Sequence, residues 1–243
     1  FMLYIIFMQI TKYYSPNYNK KIRNSKSITS IIIHYTGMQS ERESLKRLTN
    51  PKSGVSCHYL INRKGKIFKM VNDQNIAWHA GKSLWQKYKN LNQNSIGVEL
   101  VNKGHRYGYQ NFTKKQINSL VKLCKKLKRK YRIKSRLILG HSDIAPIRKI
   151  DPGEKFPWSH LSSKGIGIYP EKKITTYRFQ KNPGNKRFFK NLYEIGYRYL
   201  NTKFKKRIIK NFQRRYRQSR ISGVLDQETL KISEFLAKKS NIS

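Results

Sequence analysis

Two histidines and one aspartate follow the ends of strand-like runs in this chain. His34 closes a β-branched apolar run, and His141 comes directly after the apolar residues 137–139. Asp151 lies farther along the loop that His141 begins, among prolines and a glycine. Two imidazoles and a carboxylate leave one coordination position open, as catalytic zinc sites do. Taken singly, each histidine is more often a hydrogen-bonded, half-buried residue than a metal ligand, but the set of three predicts a catalytic zinc site.

Glu99 is a carboxylate within a strongly apolar stretch, residues 95–101. Strand alternation sends it to the face opposite Ile96, Val98 and Leu100. A carboxylate in such surroundings is paired, hydrogen-bonded or functional. Beside a metal it would suit a general base that later protonates the leaving amine.

Lys149 precedes Asp151 by two residues, so in an extended loop both side chains point the same way. Its ammonium group is suited to stabilising the oxyanion of a tetrahedral intermediate. The alternative is a solvated surface lysine, because the chain contains 53 lysines and arginines.

The remaining histidines have weaker patterns. His79 follows Trp78, and we expect the pair to contact substrate, although His79 as an alternative third metal ligand stays open. His58 lies in a probable strand, where we expect a partly buried residue near the substrate. For His105 and His160 we expect surface positions.

The pattern of elements predicts an α/β fold with a mixed central sheet flanked by helices. Strand-like runs cover residues 29–35, 57–62, 66–71, 95–101 and 136–140. Helical patterns cover residues 40–49 and 113–131, the second beginning with a capping box from Thr113 to Gln116. Residues 63–65 indicate a hairpin turn, whereas the helical crossings favour parallel neighbours elsewhere.

The C-terminal third has a different character. Residues 1–160 form the first predicted domain, with 1–13 as an N-terminal extension, and residues 161–185 form a linker rich in glycine, proline, lysine and serine. Three helical patterns follow at residues 188–200, 205–216 and 227–238, with Asp226 as the N-cap of the last. They predict a small three-helix domain over residues 186–243.

The charge balance is extreme, with 53 basic against 12 acidic residues and a net charge of +41. Such a surface attracts polyanions, nucleic acid included. The basic residues run through both halves, however, and no helix-turn-helix, zinc-finger or RNP pattern is present, so we expect no specific nucleic-acid partner. General association with anionic wall polymers or a membrane surface is the expected consequence. The apolar N-terminal run of eight residues is too short to span a membrane, and no export signal is evident.

Four segments together resemble a known family. They are residues 33–36, residues 55–61 leading to 77–81, residues 94–100, and residues 140–153. In this order they resemble the zinc-dependent N-acetylmuramoyl-L-alanine amidases of the amidase-2 type, which share a fold with peptidoglycan recognition proteins.

The resemblance implies zinc bound by His34, His141 and Asp151, with Glu99 and Lys149 as the catalytic pair. The implied reaction cuts the amide between N-acetylmuramic acid, or its 1,6-anhydro form, and the L-alanine of the stem peptide. A recognition protein that binds peptidoglycan without cutting it is the alternative, and the complete residue set argues against it.

The C-terminal helices resemble the small peptidoglycan-binding domain of many wall hydrolases, with a plain helical bundle as the alternative. We therefore expect a chain ending near Lys173 to cleave small soluble muropeptides. The implied location is the periplasm, the cell envelope or the exterior, or the cytoplasm if the role is fragment recycling.

Overall fold

A six-stranded sheet forms the centre of the molecule in the computed structural model, which describes residues 9–170 and 184–242. The strands of the described residues are β1 Ile10–Lys12, β2 Tyr18–Asn19, β3 Ser30–Tyr35, β4 Tyr59–Ile61, β5 Ile67–Lys69, β6 Ile76–Ala77, β7 Leu84–Trp85, β8 Tyr88–Lys89, β9 Ser95–Leu100 and β10 Ile138–Gly140. The central sheet has the order β1-β5-β4-β9-β3-β10, and the remaining strands form two small pairs, β2-β6 and β7-β8.

The sheet is mixed, as predicted. Strands β4 and β5 pair antiparallel through the turn at Arg63–Gly65, and the other pairs of the central sheet are parallel. Parallel pairing requires crossovers, and helices supply them. Strands β9, β3 and β10 therefore run side by side and end at one edge of the sheet.

Seven α-helices surround or follow the sheet in the described ranges. They are α1 Glu41–Thr49, α2 Lys114–Tyr131, α3 His141–Ile144, α4 Trp158–Ser163, α5 Asn185–Ile195, α6 Lys205–Tyr216 and α7 Gln227–Ile242. Thr113 caps α2 by accepting from the Gln116 N–H, but the Gln116 side chain donates instead to the Ile61 and Val101 carbonyls. The predicted capping box is thus only half formed, because the glutamine satisfies carbonyls at the end of β4 and just after β9.

Some elements differ from the sequence prediction. Strand β1 lies within the expected N-terminal extension and pairs with β5, so residues 10–12 belong to the central sheet. Helix α5 ends at Ile195 rather than at residue 200. The next residue, Gly196, has a φ of +134° and packs against the Trp85 indole, where a Cβ would lie 2.6 Å from the ring. Only glycine fits there.

The three C-terminal helices pack on the sheet domain rather than apart from it. Buried residues of both regions form one continuous hydrophobic cluster. Within the expected linker, Leu161 and Ile166 are fully buried, and residues 171–183 lie outside the described residues. Asp226 caps α7 as expected, since its Oδ1 accepts from the Thr229 N–H at 2.9 Å. Among the described helices, none has the length and apolar composition needed to cross a bilayer.

Candidate active site

The ends of the three parallel strands bring the predicted chemistry together. His34 is the penultimate residue of β3 and pairs in register with Glu99 of β9. His141 follows β10 directly as the first residue of α3. Residues 141–151, here called the ligand loop, then carry Lys149 and Asp151 back to the same edge. One pocket is lined by all five side chains.

Three ligand atoms of the predicted metal set converge in this pocket. His34 Nδ1 lies 2.9 Å from His141 Nδ1 and 3.1 Å from Asp151 Oδ2, and His141 Nδ1 lies 3.1 Å from the same oxygen. All three residues are buried. Ligands about 2.0–2.1 Å from a tetrahedral zinc lie about 3.3 Å from one another, so the triangle has the size of a zinc coordination sphere.

The Nε2 atoms of His34 and His141, which point away from the triangle, contact other groups of the protein. His34 Nε2 lies 3.1 Å from His79 Nδ1, and His141 Nε2 lies 3.1 Å from the Ala80 carbonyl oxygen. His141 must donate to that carbonyl, which leaves its Nδ1 lone pair directed at the centre of the triangle. Burial, followed by the charge of His141, lowers the pKa of His34 to about 4.

Asp151 supplies the negative charge of the set. Burial opposes its ionisation, but the His141 and His34 imidazoles hold the pKa of this carboxyl well below its usual range. Two buried imidazole nitrogens beside an ionised carboxylate are a donor set suited to a divalent cation, and His/His/Asp is a combination that zinc accepts.

Glu99 faces the pocket from β9. Its Oε2 atom is buried and has no hydrogen-bond partner among the described residues. Burial, and secondarily the charge of Asp151, raises the pKa of Glu99 to about 8, while Lys149 acts in the opposite direction. A carboxyl group with such a pKa can both take up and release a proton near neutral pH.

The substrate-side residues of the sequence analysis separate into two groups. Trp78 is half-buried and lines the pocket, as a substrate wall would. His58 does not line the pocket. It is fully buried, its Nδ1 accepts from the Gly97 N–H, and its Nε2 lies 3.2 Å from the Asn75 carbonyl oxygen, so both ring nitrogens are used inside the protein.

His79 lines the pocket but is also turned inward. Its Nδ1 contacts His34, and its Nε2 lies 3.3 Å from Ser95 Oγ. Its nitrogens are therefore engaged by the protein rather than directed at a substrate. The geometric ligand set of the described residues consists of His34, His141 and Asp151 and does not include His79.

The two histidines expected at the surface differ. His160 is exposed, but His105 is half-buried, with Nδ1 2.9 Å from the Tyr35 hydroxyl and Nε2 3.1 Å from the Glu154 carboxylate. No sequence pattern joins these residues, because they come from three separate segments.

Comparison with known proteins matches the sequence of the chain to one family. A profile of the N-acetylmuramoyl-L-alanine amidase family matches residues 24–154, which span every site residue described above. The N-acetylmuramoyl-L-alanine amidase AmiD of Escherichia coli is 35% identical, over 87% of this chain and 83% of its own length. The chain belongs to the N-acetylmuramoyl-L-alanine amidase family.

Further relatives of this amidase agree. The 1,6-anhydro-N-acetylmuramyl-L-alanine amidase AmpD of Haemophilus influenzae is 35% identical over 61% of this chain and 89% of its own length. A solved structure of AmiD in complex with the substrate anhydro-N-acetylmuramic acid-L-Ala-D-gamma-Glu-L-Lys has a TM-score of 0.80 and 32% identity, covering 91% of this chain and 92% of that one. AmpDh3 of Pseudomonas aeruginosa in complex with an anhydromuramic pentapeptide has a TM-score of 0.80 and 29% identity, covering 92% of this chain and 96% of that one.

In this amidase, helix α6 of the C-terminal region contacts the ligand loop directly. Asn211 of α6 is 1% exposed, and its Nδ2 donates to the Pro146 carbonyl at 2.6 Å and to the Lys149 carbonyl at 2.7 Å. Arg215, also of α6, forms a buried ion pair of 2.7 Å with Asp143 of α3. These contacts connect Asp143, Pro146 and Lys149 of the ligand loop to one helix.

Asp143 is further held by the Tyr197 hydroxyl, which donates to its Oδ1 at 2.7 Å. These contacts could not be predicted from the sequence, because a polar residue in an amphipathic helix carries no local sign of a partner more than 50 positions away. Asn211 and Arg215 lie in α6, whose range agrees with the sequence prediction.

Proposed function

We propose that this chain is a zinc-dependent amidase that hydrolyses the bond between N-acetylmuramic acid and the L-alanine of the stem peptide. The observation that carries the proposal is the triangle of His34 Nδ1, His141 Nδ1 and Asp151 Oδ2, with all three edges between 2.9 and 3.1 Å. Two imidazole nitrogens and a carboxylate oxygen at such separations are placed as three ligands of one tetrahedral zinc ion would be.

Zinc at this set would lower the pKa of water to about 7 and polarise the scissile carbonyl. The other tasks fall to the chain. Glu99, with a pKa of about 8, takes a proton from the nucleophile and returns it to the leaving amine. Lys149 places a cation at the pocket wall, where it stabilises the developing oxyanion. Trp78 offers an apolar surface to the muropeptide.

For the substrate we include both N-acetylmuramic acid and its 1,6-anhydro form. Two relatives were solved with anhydromuramyl peptides bound, and they resemble this chain over more than nine tenths of its length. We further propose a location in the cell envelope, where the substrate polymer lies.

The test is the release of free L-alanyl peptides from purified muropeptides of both forms, measured by mass spectrometry with and without a chelator. We expect release that the chelator abolishes and added zinc restores. His160→Ala is the matched control for a His34→Ala variant, because His160 is exposed and does not line the pocket. Binding of muropeptide without release would support the recognition-protein alternative instead.

We also propose that the enzyme adheres to anionic polymers of the wall. Among the acidic residues of the described ranges only Glu43 is exposed, and the others are buried or half-buried, so the exposed charged residues are almost all basic. Attraction between exposed charges is screened by salt. Pelleting with sacculi should therefore fall steeply as salt rises from 50 to about 500 mM, and salt-independent pelleting would argue for a specific binding surface.

A further inference from the structure

The imidazole of His79 lies between a metal-ligand histidine and a buried serine. His79 Nδ1 is 3.1 Å from His34 Nε2, and His79 Nε2 is 3.3 Å from Ser95 Oγ. The three residues are buried, with 9%, 1% and 0% of their surfaces exposed for His79, His34 and Ser95. Neither the predicted substrate role nor a ligand role accounts for this position.

The positions of the hydrogen atoms in this series of contacts can be assigned by starting from the Leu91 carbonyl, which can only accept a hydrogen bond. The Ser95 hydroxyl therefore donates to it, at 2.5 Å. Ser95 Oγ then accepts from the His79 Nε2–H. A neutral imidazole has one N–H, so His79 Nδ1 carries a lone pair and accepts from the His34 Nε2–H. His34 Nδ1 is thereby left as a lone pair facing Asp151 and His141.

Strand β9 is shaped to hold the His79 ring. A Cβ on Gly97 would lie 2.4 Å from His79 Cγ and 2.5 Å from its Cδ2, closer than real Cβ atoms come to their neighbours. Gly97 is needed for space and not for backbone freedom, because its φ is not in the left-handed region. Ser95, Gly97 and Glu99 share one face of the strand. On this face Ser95 contacts His79 Nε2, Gly97 leaves room for the His79 ring, and Glu99 lines the pocket.

The same short segment also fixes the second ligand histidine. The Ala80 carbonyl, next to His79, accepts from His141 Nε2 at 3.1 Å. The segment itself is held by Asn92, whose Oδ1 accepts from the N–H groups of His79 at 3.0 Å and Ala80 at 2.7 Å. Two adjacent residues thus orient both imidazoles of the set.

We propose that His79 is a positioning residue that fixes the tautomer and ring orientation of His34 for metal binding, through the hydrogen-bonded chain His34–His79–Ser95–Leu91. The inference rests on the proposed zinc site. Residues that orient metal ligands typically change metal affinity 10- to 100-fold when they are replaced.

The experiment measures zinc affinity by competition with a chromophoric chelator, in the full chain. His79→Phe keeps a ring of similar size and removes both nitrogens, and we expect zinc to bind about 10- to 100-fold more weakly. Ser95→Ala, which removes one hydroxyl, should weaken zinc in the same direction. Ser30→Ala is the matched control, because Ser30 is a buried serine that donates to the Asn94 carbonyl at 3.3 Å without contacting a histidine.

A second readout is independent of turnover. Long-range nitrogen–proton NMR correlations of the zinc-loaded wild-type protein should show His34 protonated at Nε2 and His79 protonated at Nε2. Should His79→Phe fail to fold, as judged by thermal unfolding, Ser95→Ala carries the test alone.

The outcomes separate the two proposals. A wild-type chain without zinc affinity would overturn the zinc enzyme and this inference with it. Tight zinc binding by wild type, together with unchanged affinity in folded His79→Phe and Ser95→Ala, would overturn the positioning role alone.

Discussion

At the level of single residues, the pocket contains two groups of side chains. The ligand atoms of His34, His141 and Asp151 converge, and we propose that this group holds the metal. Glu99 and Lys149 line the same pocket without joining the triangle. Zinc retention and turnover should therefore respond differently to replacement of the two groups.

Replacing the charge-handling pair should lower kcat and leave zinc in place. We expect Glu99→Gln and Lys149→Met to lose roughly 10²-fold or more in kcat, because each removes a group that acts in the transition state. Metal content by elemental analysis should stay at the wild-type level. The control is Lys164→Met, because Lys164 is an exposed lysine directly after α4. Near wild-type turnover in either variant would make that residue a bystander.

At the scale of elements, strand order and alternation made much of the site predictable. His34 and His141 follow strand-like runs, and Glu99 lies on one face of an alternating strand, so their positions on strands could be predicted from the sequence. In the described residues, the three side chains line one pocket. The inward role of His58 and the contacts of Asn211 were not predictable, because both depend on long-range packing that leaves no local pattern.

Helix α6 should influence catalysis through the ligand loop. Asn211→Ala removes the two hydrogen bonds to the Pro146 and Lys149 carbonyls, so Lys149 loses its fixed position. We expect kcat to fall about 10-fold or more, since small displacements of catalytic groups are costly. The matched control is Asn191→Ala, because Asn191 of α5 is a buried asparagine that donates to Ser233 within the helical region. Equal effects of both variants on kcat would contradict the loop role.

The junction of α2 with the sheet should make stability depend on acid pH. Burial favours the neutral form of Asp73, but hydrogen bonds from Tyr131 and Tyr59, with the charges of Lys69 and Lys130, lower the pKa of this carboxyl from 3.8 to about 2. A depressed folded-state pKa gives stability that is present above pH 3.8 and lost as pH falls through 2.

Asp73→Asn should therefore lower the free energy of unfolding by roughly 2 kcal/mol at pH 7. This free energy corresponds to the lowering of the Asp73 pKa from 3.8 to about 2. Urea unfolding of both proteins between pH 7 and pH 2 checks this, and the difference should narrow below pH 4. A difference that stays constant across that range would mean that the carboxylate charge of Asp73 contributes nothing.

At the level of the whole molecule, the C-terminal helices share one hydrophobic core with the sheet region. Their buried residues continue the core of the sheet domain, and Arg215 lies with its guanidinium carbon 3.7 Å from the centre of the Trp158 ring. The sequence predicted the helices but not their packing against the sheet region. Helical periodicity shows that one face of a helix is apolar, but it does not show which element packs on that face.

A chain ending at Pro170 should be less stable than the full chain. Its Asp143 would lose Arg215 and Tyr197, and apolar core residues that the C-terminal helices cover would be exposed to water. Thermal unfolding by circular dichroism should show a lower Tm for the shortened chain. Equal Tm and equal turnover in the shortened and full chains would establish independent domains.

We propose that one zinc ion held by His34, His141 and Asp151 is required for the amidase activity of the chain. The most direct measurement is a titration of zinc into the chelator-stripped full chain while L-alanyl peptide release from a muropeptide is recorded. The predicted result is activity that rises from zero to a maximum at one zinc per chain, and no response in Asp151→Ala. Full activity of the stripped chain, or stoichiometric activation of Asp151→Ala, would contradict the account.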